Sequence, residues 1–109
     1  MAYDETLAQR IRDLVIDLPG VVEKRMFGGV AFLLHGNMAC GVNNDDMILR
    51  LSPEDARAAL QQPHVRVFDM TGRPMQGWVL VGSQGIAEET DLLRWVQQGV
   101  DFAATLPPK

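Results

Sequence analysis

Three short apolar runs lie close together in the middle of the chain: residues 30–34 (VAFLL), 38–42 (MACGV) and 47–51 (MILRL). The links between them, His35-Gly36-Asn37 and Asn43-Asn44-Asp45-Asp46, are rich in turn residues and far too short for the crossover that parallel strands require. Consecutive strands joined this way pair antiparallel, so the runs predict a β-meander at the centre of the fold. The first run is apolar on both faces and suits a strand buried on both sides. In the third, Met47, Leu49 and Leu51 share one face. The first link places Gly36-Asn37 at the centre of its turn.

Helical periodicity brackets this region. Leu7, Ile11, Leu14, Val15 and Leu18 recur at helical spacing behind an Asp4 N-cap, and Pro19-Gly20 stops the pattern, which predicts a helix over 4–18. Residues 21–26 (VVEKRM) read as a partly exposed strand broken by Gly28-Gly29, glycines that permit a bulge or a positive φ. Ser52-Pro53-Glu54-Asp55 combines an N-cap, a proline at the first helical position and first-turn acids, so a short helix runs from 53 to about 61, ended by Pro63. A brief strand at 65–68, a loop at 70–74 and a strand at 77–81 follow. The last helix, 88–104, carries Leu92, Leu93, Val96, Val100 and Ala103 on one broad face. Clustered strands with helices at the ends predict an α+β two-layer sandwich, an antiparallel meander sheet packed with helices from both ends of the chain.

A chain of 109 residues suits one domain over 1–109, with enough length to bury roughly two-thirds of its unfolded surface. Hydrophobic residues at 47% and charged residues at 22% exclude a disordered chain. A net charge of -4 disfavours nonspecific attraction to nucleic-acid phosphates, although a local basic patch remains compatible with it. One cysteine, Cys40, forms no internal disulfide and fits a reducing compartment. The N-terminus lacks the basic start and apolar run of a secretory signal, and no stretch nears the roughly 18 apolar residues of a membrane span. A cytoplasmic protein without membrane contact is expected, and Pro107-Pro108-Lys109 reads as a frayed tail.

Residues able to do chemistry are sparse. Cys40 sits mid-strand between Ala39 and Gly41, where a small apolar side chain packs well. His35 and His64 lie in turns without carboxylate or cysteine at ligand spacing, so they read as solvated. The turn Asn43-Asn44-Asp45-Asp46 lacks the alternating ligands and distal glutamate of a calcium loop, and Gly28-Gly29 lacks the Gly-Lys-Ser/Thr of a phosphate loop. These features predict no catalytic residue, no cofactor and no metal. Met26, Met38 and Met47 fill the core, while Met70 and Met75 are better candidates for exposure. Lys24, Arg25, Arg50, Arg66 and Arg73 fall in the sheet region. On a sheet with one uncovered face, Arg25, Phe27, Arg50, Arg73 and Trp78 are the candidate members of a binding face for an acidic peptide or a nucleic-acid strand. The plainer account is scattered surface charge with aliphatic stems lying over apolar sheet.

Arg25-Met26-Phe27-Gly28-Gly29-Val30-Ala31-Phe32, then Gly36-Asn37-Met38-Ala39, Leu49-Arg50-Leu51 and the aromatic strand Gly77-Trp78-Val79-Leu80-Val81, resemble the N-terminal domain of the TfoX/Sxy family across most of the chain. The resemblance implies a two-layer α/β fold with a curved antiparallel sheet and a link to regulators of bacterial natural competence. Those regulators usually carry a second, C-terminal domain, whereas the expectation here is a stand-alone domain. It implies a non-enzymatic regulatory or protein-interaction module whose partner protein is unknown, with a homodimer through a sheet edge or helix face among the possible forms. The alternatives are a nucleic-acid-associated transcriptional regulator, which needs the arginines to cluster, and a small-ligand-binding domain or enzyme, which needs a deep pocket with convergent polar groups.

Overall fold

The computed structural model describes residues 3–26, 28–68 and 76–108. Helix α1 (Glu5–Val15) starts where the Asp4 carboxylate accepts the backbone N–H groups of Thr6 and Leu7 at 2.9 and 3.1 Å. It buries Leu7, Ala8, Ile11 and Val15. The helix ends a turn earlier than the apolar spacing predicts, because Pro19 disfavours helical geometry at Leu18. Ile16 and Leu18 are consequently exposed, at 71% and 40%.

The meander comprises β1 (Val21–Met26), β2 (Gly29–Leu34), β3 (Asn37–Asn43) and β4 (Asp46–Arg50), each antiparallel to the next. The link between β2 and β3 is centred on His35-Gly36 rather than Gly36-Asn37: both residues have positive φ, 51° and 86°, as a two-residue hairpin turn of matching twist requires. Asn37 therefore belongs to β3. It is buried, and its side-chain amide donates to the Pro107 carbonyl at 2.9 Å, so the tail is docked as far as Pro107 instead of fraying. The Asn44 carbonyl, in the next turn, accepts the Asp4 N–H at 2.7 Å and ties the start of α1 to the sheet.

Phe32 pairs with Cys40 but Leu33 pairs with Met38, leaving Ala39 as the extra residue of a β-bulge. Gly28 has φ +72°, as its position predicts, while the bulge lies further along.

After β4 the chain forms α2 (Pro53–Ala59), then β5 (Val65–Val67) and β6 (Trp78–Val81). The Ser52 hydroxyl accepts the Asp55 N–H at 3.1 Å as the cap of α2. The sheet order is β1-β2-β3-β4-β6-β5, with β6 returning beside β4 and leaving β5 at the far edge. A 3-10 turn (Ser83–Gly85) leads to α3 (Glu89–Ala104). Helices from both ends of the chain thus pack on a six-stranded antiparallel sheet, an α+β fold.

Two apolar clusters lie on opposite faces of that sheet. The larger joins Leu7, Ile11 and Val15 of α1 and Leu92, Trp95 and Val96 of α3 to alternate strand residues including Val30, Val42, Met47, Leu49, Val79 and Val81. The smaller, on the reverse face, holds Ala31, Leu33, Met38, Ile48 and Phe68. That face is therefore apolar and buried at its centre, which removes the broad uncovered surface expected for a row of arginines. On α3 the stripe also differs from expectation: Leu93 is exposed while Trp95 is buried. The line of closest approach runs through Leu92, Trp95, Val96, Gly99 and Ala103, and Leu93 falls beyond its edge.

Candidate interaction surface

Register decides which side chains meet. Leu49 opposes Val79 inside the larger core, so the next pair, Arg50 and Trp78, emerges on the reverse face at the end of β4. The Arg50 guanidinium carbon stands 5.5 Å from the Trp78 ring centroid and 5.7 Å from that of Phe102 on α3. Phe68 supports Trp78 from behind, ring centroids 6.0 Å apart. Arg50 has no acidic partner among the described residues. A guanidinium held by ring faces keeps its in-plane N–H fork available to an outside carboxylate or phosphate.

Trp78 also forms one wall of a groove of about 240 Å³ between α2 and the β5–β6 pair. Pro53, Ala56, Leu60 and Val67 give it an apolar lining, and Arg57 lies at its side. Arg57, too, lacks an acidic partner among the described residues. The groove thus places apolar surface beside two cationic groups.

Of the expected binding face, the structure brings together Arg50 and Trp78. Arg25 opposes Val30, a residue of the larger core, and so lies on the other face at the β1 edge. Phe27 and Arg73, like Met70 and Met75, lie outside the described residues. Arg66 is engaged by Asp46 at 2.7 Å. Sequence reasoning missed Phe102 and Arg57. Phe102 carried a readable signal, an aromatic on α3 lying off the apolar stripe.

Cys40 is fully buried, and loss of solvent pushes its thiol from the ordinary 9.0 up to about 12, so it stays protonated near neutral pH. His35 and His64 are exposed in turns. Among the described residues no group of three or more His, Cys, Asp or Glu is placed to hold a metal ion. A shallow polar depression of about 400 Å³ is lined by Asp46, His64, Arg66 and Ser83, with its carboxylate and guanidinium satisfying each other.

No helix among the described residues is long and apolar enough to cross a membrane. The architecture defines an α+β domain with a meander-based antiparallel sheet and a lateral groove. The TfoX N-terminal domain family matches residues 13–103, and the chain belongs to that family. No curated protein and no solved structure matches it.

Proposed function

We propose that this chain is a non-enzymatic regulatory module that binds a partner protein, and that the groove beside Trp78 takes a short segment of that partner combining an apolar side chain with a carboxylate. The observation that carries this reading is the Arg50 guanidinium, stacked on Trp78 and Phe102 without an acidic neighbour among the described residues and next to the apolar groove. Groove and cations together match a mixed apolar and acidic peptide, the pattern by which arginines recognise acidic motifs. A nucleic-acid strand is less well matched. Arg10, Arg12, Arg66 and Arg94 are paired with Glu89, Glu23, Asp46 and Asp91, and Arg25 lies across the sheet from Arg50.

The test is a titration of Trp fluorescence with a panel of short peptides pairing Leu or Phe with Asp or Glu, alongside charge-reversed controls and single-stranded DNA. Acidic peptides are expected to bind, and Arg50→Ala is expected to weaken them roughly tenfold or more, as loss of a charge-assisted contact does. The reading is wrong if the acidic panel binds no better than its reversed controls, or if Arg50→Ala leaves its affinity unchanged.

A further inference from the structure

The two edges of the sheet differ. Edge strands are usually blunted by shortness, proline, a bulge or charged side chains, and of these devices β1 carries only charge, of both signs, in Glu23, Lys24 and Arg25. β5 is three residues long, whereas β1 has six, contains no proline or glycine, and stays in regular register with β2 along its length.

The hydrogen-bonding phase of β1 follows from the backbone. His35 N–H donates to Gly20 O at 3.0 Å, one step beyond the Val21–Leu34 pair, which makes Gly20 and His35 a directly bonded pair. Bonded pairs alternate, so Val22, Lys24 and Met26 spend their backbone groups on β2. Val21, Glu23 and Arg25 turn their N–H and C=O groups outward. The side chains from Val22 to Arg25 are exposed.

From this geometry we propose that two copies of the chain pair antiparallel through their β1 edges, continuing the sheet across a two-fold axis. Only outward-turned residues can bond directly to one another, which leaves two registers that keep most of β1 paired. One sets Glu23 against the second copy's Glu23. The other sets Glu23 against the second copy's Arg25, twice by symmetry, with the two Lys24 residues at the centre on the reverse face. Opposite charges directly across an antiparallel pair attract and like charges repel. Glu23 is already held by Arg12 of its own chain, so in the second register each Glu23 is shared between that Arg12 and the second copy's Arg25. This still favours the second register over the first, which sets two Glu23 carboxylates face to face. Ile16 and Leu18 share a shallow depression with Val21 and Glu23 beside this edge, and Val22 is 53% exposed on the other face. The seam is thus flanked by apolar surface, which a second copy covers. This pairing does not depend on the groove reading.

The experiment is light scattering on the eluting chain with two single variants and their mixture. Wild type is expected to show twice the 12.1 kDa chain mass at high micromolar concentration. Arg25→Glu and Glu23→Arg each set like charges face to face and should weaken self-association roughly 30-fold. Mixing the two variants restores both attractive pairs, so the mixture should regain the dimer. Lys24 and Lys109 are the only lysines, so an amine-reactive cross-linker on wild type should join Lys24 of one copy to Lys24 of the other. A wild type that stays monomeric, a dimer indifferent to Arg25→Glu, or a mixture that stays monomeric overturns the proposal. If a variant fails to fold, the wild-type cross-link decides alone, and its absence overturns it.

Discussion

Gly99 of α3 rests on the carbonyl oxygen of Ala39, the extra residue of the β-bulge between β2 and β3. A Cβ at position 99 would run into that backbone oxygen and stand 2.9 Å from Leu49 Cδ1. The contact lets α3 descend onto the strands at the point where the bulge brings both Ala39 and Cys40 toward the helix-bearing side. Glycine in a helix interior costs about 1 kcal/mol relative to alanine, and here close packing offsets it.

Gly99→Ala is accordingly expected to destabilise the fold. Overpacking against a backbone atom costs about 1–3 kcal/mol, against the gain of about 1 kcal/mol in helix propensity. Urea unfolding measures the balance, and a net stabilisation would show that α3 stands off from the bulge.

Trp95 and Leu93 are predicted to separate cleanly. Trp95 is 2% exposed in the larger core and Leu93 is 48% exposed. Trp95→Ala should cost about 3–5 kcal/mol, whereas Leu93→Gln should stay within about 0.5 kcal/mol. Comparable losses in thermal or urea melts would reverse the facing assigned to α3.

Burial of Cys40 gives stability a limb at alkaline pH. Below about 9 both folded and unfolded chains keep the thiol protonated. Between 9.0 and about 12 the unfolded chain ionises while the native chain does not. The native state then binds the extra proton, so stability falls as pH rises through that window. Cys40→Ala should remove this part of the slope in paired denaturation curves. A thiol reagent should label Cys40 of the wild type only on unfolding.

Arg12 grips Glu23 of β1 with Nε on one carboxylate oxygen at 2.7 Å and Nη2 on the other at 2.6 Å. Hydrogen bonding to Arg12 holds the Glu23 carboxyl below its ordinary range. A lowered carboxylate contributes stability above its unfolded value and loses it as pH falls through the folded one. Both side chains are about a third exposed, so Arg12→Gln should cost less than about 1 kcal/mol at neutral pH. The difference between variant and wild type should vanish once Glu23 is protonated, which a pH series of melts at dilute, monomeric concentration would show.

Much of the fold was readable from local pattern. The Asp4 and Ser52 caps and the helical spacing of Leu7, Ile11 and Val15 each act within a few residues and appear where expected, and turns do separate the apolar runs, although the first is centred one residue earlier than Gly36-Asn37. Harder to read was the candidate site, because Arg50, Trp78 and Phe102 come from β4, β6 and α3 and meet only through register and helix placement. Arg25 shows the same point in reverse: it shares a sheet with Arg50 but lies on the other face, since strand alternation assigns faces only after pairing is known.

Alone, then, the sequence determined the element order and the antiparallel meander, because turn chemistry and apolar periodicity are short-range properties of the chain. Tertiary structure alone decided that β6 enters between β4 and β5, that Ala39 bulges beneath Gly99, and that the reverse face buries its own apolar cluster. These outcomes depend on contacts between residues distant in sequence, where packing volume and hydrogen-bond phase select among arrangements that local propensity leaves equal.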